Sequence, residues 1–369
     1  MVRATTVTLV LFTLASCTFW QRIDAPIANS ATVDTQIRRA MRAAHIPGLS
    51  IAVVEGNGVA WEKSFGVRDV ESRAPVTNAT VFEAASLGKP VFAYAVLRLA
   101  AEGKIDLDRP LSRYWVYPDI ADDGRSARIT AAMVLSHTSG LQNWRDDSGL
   151  QFVADPGESF VYSGEGYLYL QRVVEKITGA NAETVAREKV LAPFGMRDSF
   201  FTWNKRAERN YAVGTDGAGN PVPKYKPTSA NVAGGFHTTA ADYGKFLAAV
   251  MQGRGLNRTI WKRMTEPVVK LWIGKGKDPD FVGWGLGFAL QYTHDEGLSL
   301  WHWGDNDIFK GYMVAYPARR IAVVYFANSV FGLSIRDQTV TAAIGGKHPA
   351  FQWVTYPQVR LPPAPAASK

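Results

Sequence analysis

A serine and a lysine three positions apart are the residues of this chain best suited to nucleophilic chemistry. Ser86 and Lys89 lie in the largely apolar segment 81–90. A serine hydroxyl attacks a carbonyl carbon only when a neighbouring base removes its proton. On a helix that starts at the serine, residues three apart share one face, so the lysine amine can hydrogen-bond the hydroxyl. Because this spacing arises about once by chance in a chain of ordinary composition, the surrounding sequence has to support it.

Two other segments offer the remaining groups that such a nucleophile needs. Tyr162 begins a Tyr-Ser-Gly sequence, but a phenol titrates near ~10 and serves as a base only where a cation such as Lys89 stabilises its phenolate. The sequence His-Trp-Gly at 302–304 precedes an apolar strand. An edge strand beside the nucleophile would give one backbone N–H to an oxyanion hole, and Ser86 would give the other.

Strands near both ends of the chain and helices between them have to position these residues. Apolar and alternating runs that flank turn signals predict two β-hairpins, 49–54 with 59–67 and 311–316 with 321–327. Helical periodicity predicts helices at 31–44, 90–101, 131–135, 166–177, 182–191, 239–251 and 333–344. This order predicts a discontinuous α/β domain that carries a helical insertion, with the active site in the cleft between the two parts.

Composition argues against several classes of function. The 369 residues are 47% hydrophobic and 20% charged, which suits one large or two medium globular domains. One cysteine and six histidines without a His-x-x-x-His pair give no disulfide framework and no indicated metal site, so we expect no metal or other cofactor. The net charge of +8 comes without a basic run interleaved with aromatics, so we do not expect nucleic-acid binding.

The amino-terminal sequence predicts export and a membrane anchor. A short positive start is followed by an apolar stretch at 4–14 that is too short to span a bilayer. Leu-Ala-Ser-Cys then ends at Cys17 and is similar to a bacterial lipobox, in which the cysteine is lipidated. We predict a signal peptide at 1–17, a tether at 18–30 and attachment to the periplasmic face of the envelope, with outer-membrane placement favoured by the residue after Cys17. Without lipidation, the same segment would give a periplasmic or secreted protein.

Four segments resemble the family that contains class C β-lactamases, D-alanyl-D-alanine carboxypeptidases and family VIII esterases. They lie at 82–89, 135–141, 156–163 and 233–239, in the order that the family has them. The family's motifs are Ser-x-x-Lys, Tyr-x-Asn and Lys-Thr-Gly, and the similarity runs from about residue 30 to about residue 345.

The resemblance implies a β-lactamase/transpeptidase-like α/β (α+β) fold, with an antiparallel sheet flanked by helices and a separate helical domain. We assign 31–80 and 280–345 to the α/β part and 81–279 to the helical part. The remaining residues, 346–369, are expected to form a Pro/Ala-rich tail.

The resemblance also assigns roles to residues of the site. Ser86 would be the acylated nucleophile, Lys89 its proton partner and Tyr162 the general base. His302 falls where the family has the lysine of its third motif, and Gly304 matches the glycine of that motif.

Several positions depart from the family's pattern. Gly164 replaces an asparagine whose amide holds the lysine and the substrate's acylamide, and Trp303 replaces a threonine whose hydroxyl helps to bind a carboxylate. Asp305 would donate the second oxyanion N–H but adds possible negative charge, and His302 removes a permanent cation. Because a site discriminates through its buried polar groups, these losses favour ester hydrolysis over penicillins or peptide stems.

We therefore predict a serine hydrolase that forms an acyl-enzyme on small-molecule esters or amides, with an esterase as the first choice. A β-lactamase or D-alanyl-D-alanine carboxypeptidase is the alternative, and a non-catalytic envelope binding protein is the alternative of another class. Trp144, Trp301 and Trp303 either line an acyl pocket or belong to the core. His137 is expected to be a loop or cap residue, and Glu165 is a weaker candidate for activating water.

Overall fold

The computed structural model describes residues 30–276 and 279–359. The predicted signal peptide with Cys17 lies outside the described residues, as does the predicted tether apart from Ser30. The helices and strands, in chain order, are α1 (Ser30–Ala43), β1 (Gly48–Glu55), β2 (Gly58–Gly66), β3 (Phe82–Ala85), α2 (Gly88–Ala101), α3 (Ala131–Leu135), α4 (Gly164–Thr178), α5 (Ala182–Ala186), β4 (Phe236–Thr238), α6 (Ala240–Met251), α7 (Arg258–Thr265), β5 (Val269–Ile273), β6 (Phe281–Trp284), β7 (Ala289–Thr293), β8 (Gly297–Asp305), β9 (Lys310–Tyr316), β10 (Ile321–Ala327), α8 (Arg336–Ile344) and α9 (Ala350–Trp353).

The strands form one large antiparallel sheet and one small one. The large sheet has the order β2-β1-β10-β9-β8-β7-β6-β5, so β1, from near the start of the chain, pairs with β10, from near its end. Strands β3 and β4 pair separately within the part of the chain that contains most of the helices. An antiparallel sheet flanked by helices, with a helical part inserted between its strands, is the architecture that the sequence predicts.

The two faces of the sheet carry separate cores because side chains of a strand alternate between faces. In β1, Ala52 and Val54 join the core shared with the helical part, where α6 packs against the strand. Leu49, Ile51 and Val53 join the core on the opposite face, which α1 and α8 cover. Both faces of β1 are therefore buried, which explains its continuous apolar run.

The boundaries of the two parts differ from the assigned ranges. Strand β5 lies within 81–279, the range assigned to the helical part. The pairing of β5 with β6 has a register shift between Lys270 and Trp272, and β5 forms one edge of the sheet. Its sequence therefore does not show the regular alternation of apolar and polar residues that predicts a strand. Helix α9 lies in the expected tail, where Ala350 and Val354 are buried against the sheet.

Neither a membrane span nor a metal-binding cluster occurs in the part of the chain that the structure describes. No helix among these residues combines the length and the hydropathy needed to cross a bilayer. No three or more His, Cys, Asp or Glu side chains among them are grouped so that they could hold a metal ion.

Candidate active site

Ser86 lies in the tight turn between β3 and α2. Ala85, the last residue of β3, has a φ of 52°, a left-handed conformation that residues other than glycine rarely adopt. The Leu87 N–H donates to the Ala84 carbonyl oxygen and the Lys89 N–H to the Ser86 carbonyl oxygen, both at 3.0 Å. The serine therefore stands just before the amino-terminal end of α2, where the helix dipole stabilises negative charge.

Lys89 is fully buried and hydrogen-bonded to the serine. Its Nζ donates to Ser86 Oγ at 3.0 Å and to the Ala233 carbonyl oxygen at 2.5 Å. Burial lowers the pKa of Lys89 from its ordinary value of 10.5 to about 7. Near neutral pH, a large fraction of the amine is thus uncharged and able to accept the hydroxyl proton.

Three aromatic rings, which we call the aromatic cage, surround the Lys89 amine. The ring centroids of Tyr162, Tyr167 and Trp144 lie 4.9, 5.7 and 5.8 Å from Nζ. Tyr167 lies one turn into α4 and is a site residue that was not predicted from the sequence. Cation–π attraction to these rings favours the ammonium, but the pKa falls, so loss of water around Nζ outweighs it.

Tyr162 lies beside the nucleophile, but its acidity is opposite to our expectation. Its hydroxyl is buried and has no hydrogen-bond partner among residues 30–276 and 279–359. Burial raises the pKa of Tyr162, and the nearby Ser86 hydroxyl lowers it by a smaller amount. We expected Lys89 to stabilise the phenolate, but burial makes charge unfavourable on both groups. The phenol of the resting site is therefore neutral and suited to donate a proton.

His137 holds the segment that carries Tyr162. Its Nδ1 accepts the Ser163 N–H at 3.0 Å, its carbonyl oxygen accepts the Val161 N–H at 2.7 Å, and its ring stacks on Tyr162 at 4.3 Å. Burial keeps the pKa of His137 well below its ordinary value, so the ring is neutral. The residue lies in a loop, as expected, with a left-handed φ of 56°, and it positions the tyrosine.

His302 provides a neutral ring where the family has a lysine. It is fully buried, and burial, followed by the charge of Lys89, lowers its pKa to about 3. Its Nδ1 lies 2.7 Å from the Trp303 carbonyl oxygen, which can only accept, so Nδ1 carries the proton. Its Nε2 has no partner among the described residues and remains a free acceptor.

The strand that carries His302 is an inner strand over most of its length, and among the described residues only its end at 302–305 has the free edge expected from the sequence. Strand β8 lies between β7 and β9 in the sheet. Strand β7 pairs with the first part of β8, residues 297–301. Residues 302–305 pair with β9 and have no second strand partner in the described ranges. A Cβ on Gly304 would lie 2.3 Å from the Ala84 carbonyl oxygen. Only glycine lets β8 approach the turn of Ser86 this closely, and the oxyanion role of Asp305 N–H stays a prediction.

The carboxylate of Asp305 is paired rather than free. Its Oδ1 accepts from Lys310 Nζ, and its Oδ2 accepts from the Tyr356 hydroxyl at 2.5 Å. The Lys310 ammonium offsets the negative charge that we expected near the substrate. Neither partner stood out in the sequence, because Lys310 lies in a strand and Tyr356 in the expected tail.

Gly164 makes room for the indole of Trp144. A Cβ at position 164 would lie 2.6 to 2.9 Å from three indole carbons. The indole of Trp144 thus occupies the space where the family has its asparagine side chain. Trp144 is 47% exposed. Of the other tryptophans, Trp303 lies 5.3 Å from the Tyr162 ring, whereas Trp301 is fully buried in the core.

Glu165 is held in an ion pair. Arg145 Nε and Nη2 donate to its two carboxylate oxygens at 2.9 and 2.8 Å, and the Arg145 N–H donates to Oε1 at 3.2 Å. Arg145 also contacts Asp119 Oδ2 at 2.6 Å. With both oxygens occupied, Glu165 fixes the loop of Arg145 to the start of α4, and nothing in this geometry favours the activation of water.

Known proteins of related sequence include Protein flp and an esterase. Protein flp of Staphylococcus aureus (strain MRSA252) is 27% identical over 317 residues, which are 80% of this chain and 62% of that protein. Esterase EstB of Burkholderia gladioli is 32% identical over 226 residues, which are 52% of this chain and 56% of EstB. The chain thus spans less than two thirds of the length of these relatives.

Solved structures share the fold. An octameric penicillin-binding protein homologue from Pyrococcus abyssi has a TM-score of 0.73 at 24% identity, with coverage of 85% of this chain and 77% of that one. A class C β-lactamase has a TM-score of 0.70 at 22% identity, with coverage of 86% and 97%. A D-alanine carboxypeptidase from Burkholderia cenocepacia has a TM-score of 0.70 at 20% identity, with coverage of 85% and 98%. These likenesses confirm the predicted fold.

The family model described as Beta-lactamase matches residues 33–344. This range contains the Ser86–Lys89 pair, Tyr162 and strand β8. The chain belongs to the Beta-lactamase family of serine hydrolases.

Proposed function

We propose that this chain is an esterase in which Ser86 forms an acyl-enzyme with small carboxylic esters. The observation that carries the ester preference is the contact between Trp144 and Gly164, in which the indole occupies the space that a side chain at position 164 would take. Without a side-chain amide at this position, the site lacks a donor and acceptor for the acylamide of a β-lactam or a peptide. An ester has a better leaving group and needs neither partner. The similarity to esterase EstB supports the same choice.

Acylation is proposed to start from neutral Lys89. Its amine accepts the Ser86 hydroxyl proton while Oγ attacks the ester carbonyl carbon, and the carbonyl oxygen becomes an oxyanion near the start of α2. When the bond to the alcohol breaks, the alcohol oxygen takes a proton from the neutral Tyr162 hydroxyl. The Lys89 ammonium then returns a proton to Tyr162, so both groups regain their starting forms.

Deacylation is proposed to repeat these steps with water. Lys89 accepts a proton from the attacking water, whose oxygen forms a bond to the acyl carbon. The bond between that carbon and Ser86 Oγ breaks, and Oγ recovers a proton from the Lys89 ammonium through Tyr162. The products are the carboxylic acid and the free enzyme.

Covalent labelling tests the nucleophile. A fluorophosphonate is expected to add one phosphonyl group to the wild-type chain and none to Ser86→Ala, as measured by intact-protein mass spectrometry. Ser148→Ala, which removes an exposed hydroxyl from a loop, serves as the matched control and should label like the wild type. An unlabelled wild type would favour the binding-protein alternative.

Paired substrates test the ester preference. Turnover of a short-chain nitrophenyl ester should exceed that of a chromogenic cephalosporin by at least ~100-fold in kcat/KM, about 2.7 kcal/mol in transition-state stabilisation. Faster turnover of the cephalosporin would overturn the esterase proposal in favour of a β-lactamase, and D-alanine release from a peptide stem would favour a carboxypeptidase.

We also propose that the protein is attached to the periplasmic face of a bacterial envelope by a lipid on Cys17. This proposal depends on residues 1–17 alone, which resemble a lipoprotein signal. Labelling of the expressed chain with a radioactive fatty acid should require Cys17 and should be lost in Cys17→Ala. Equal labelling of both chains would contradict it.

A further inference from the structure

We propose that Trp144 is a positioning residue that shields the Lys89 amine from water and so sets the pH range in which Ser86 reacts. This inference rests on the proposed role of Lys89 as the base. It assigns a function to a residue outside the motifs of the site.

The outer wall of the aromatic cage is the ring of Trp144. Tyr167 is fully buried and Tyr162 is half-buried, whereas Trp144 is 47% exposed. Lys89 itself has no exposed surface although the Trp144 ring lies 5.8 Å from Nζ. One face of the indole therefore covers the lysine while the rest of the ring meets solvent.

Both neighbours of Trp144 are fixed to the start of α4. The Gly164 N–H donates to the side-chain oxygen of Asn143 at 3.0 Å and to its backbone oxygen at the same distance. On the other side, Arg145 forms the ion pair with the buried carboxylate of Glu165. These contacts hold the backbone of Trp144 against the start of α4, because moving it would separate Arg145 from a carboxylate that is itself buried.

The groups that face Lys89 are uncharged. Burial raises the pKa of Tyr162 and of Tyr167, and burial lowers the pKa of His137 and of His302, so both phenols and both imidazoles are neutral near pH 7. From the segment at Ala233, the group that contacts Nζ is an uncharged backbone carbonyl oxygen. Burial is accordingly the only cause of the lowered pKa of Lys89, and access of water to Nζ is the quantity that a change in the cage would alter.

Removal of the ring is expected to shift the pH dependence of Ser86 without changing its limiting reactivity. In Trp144→Ala, water reaches Nζ and stabilises the ammonium, so a higher pH is needed to generate the neutral amine. A rise of about one pH unit in the midpoint would reduce the rate roughly tenfold below the midpoint. Trp144→Phe retains an aromatic wall and should behave like the wild type.

The rate of Ser86 phosphonylation by a fluorophosphonate, measured between pH 5 and pH 10, tests this inference. Wild type, Trp144→Phe and the control Trp272→Ala, which removes a tryptophan of 40% exposure from strand β5, should share a midpoint near 7. Trp144→Ala should have a midpoint at least one pH unit higher and the same plateau. Trp144→Leu provides a second variant if the alanine variant has a lower melting temperature.

The outcomes separate this inference from the proposed function. An unchanged midpoint in Trp144→Ala and Trp144→Leu, with a labelled wild type, overturns the role of Trp144 alone. A loss of reactivity at every pH, plateau included, would show a merely structural role and overturns it as well. A wild type that is not labelled refutes the proposed function and this inference together.

Discussion

Replacement of Lys89 by methionine is expected to abolish activity and to stabilise the fold at acidic pH. Burial lowers the pKa of this lysine from 10.5 to about 7, and each pKa unit corresponds to about 1.4 kcal/mol. The folded state therefore loses roughly 5 kcal/mol by burying the amine at a pH below 7. Hydrogen bonds to Ser86 and Ala233 offset about 1 kcal/mol each. Methionine, with a similar shape and no charge, should gain roughly 3 kcal/mol in free energy of unfolding.

The sign of the pH dependence follows from proton binding. Between about pH 7 and pH 10.5, the unfolded chain keeps the Lys89 proton and the folded protein does not. The free energy of unfolding of the wild type thus rises by about 1.4 kcal/mol per pH unit in this window. Methionine does not titrate, so the advantage of Lys89→Met is complete below pH 7 and falls to about zero near pH 9.

Urea unfolding at pH 6 and at pH 9 measures this difference. Lys262→Met is the matched control, because that side chain is 69% exposed and its removal should change stability by less than ~0.5 kcal/mol at either pH. The reasoning is refuted if Lys89→Met is less stable than the wild type at pH 6. It is also refuted if the difference between the two proteins is the same at both pH values.

Three further outcomes are expected. The rate of ester acylation at Ser86 should rise about tenfold per pH unit below 7 and level off above it, in stopped-flow measurements of nitrophenol release; a midpoint near 10 would contradict the lowered pKa of the base. Gly304→Ala should lose at least ~1 kcal/mol of stability and most of its esterase activity, because the added Cβ would clash with the Ala84 carbonyl oxygen. The control Gly58→Ala, whose Cβ would have no atom within 4 Å, should match the wild type in thermal melts and activity assays. Tyr162→Phe should retain stability within ~1 kcal/mol, since its hydroxyl has no hydrogen bond among the described residues, and should lose at least ~100-fold in kcat; unchanged kcat would remove Tyr162 from the mechanism.

The hairpins near the two ends of the chain could be predicted from sequence almost to the residue. The second hairpin, expected at 311–316 and 321–327, is observed as Lys310–Tyr316 and Ile321–Ala327. These strands are buried on both faces, so their apolar runs are continuous. Strand β5 was missed because it lies at the sheet edge, where Trp272 and Ile273 remain exposed and no burial pattern is imposed on the sequence.

The site was predictable where its residues share one short motif and unpredictable where they meet across the fold. Ser86 and Lys89 contact each other because a single turn separates them, and that contact is present. The contact of Trp144 with Gly164 joins two segments that no local pattern connects. The raised pKa of Tyr162 depends on how completely the finished core excludes water, which a sequence does not show.

The pairing of β1 with β10 has a consequence for synthesis of the chain. Leu49 lies opposite Ala327, and Glu55 lies opposite Ile321. A nascent chain emerging from the ribosome exposes the open edge and the apolar face of β1 until nearly its whole length has been translated. Such long-range closure slows folding and leaves an aggregation-prone intermediate. A chain truncated before β10 should therefore accumulate in inclusion bodies, although it retains Ser86 and Lys89.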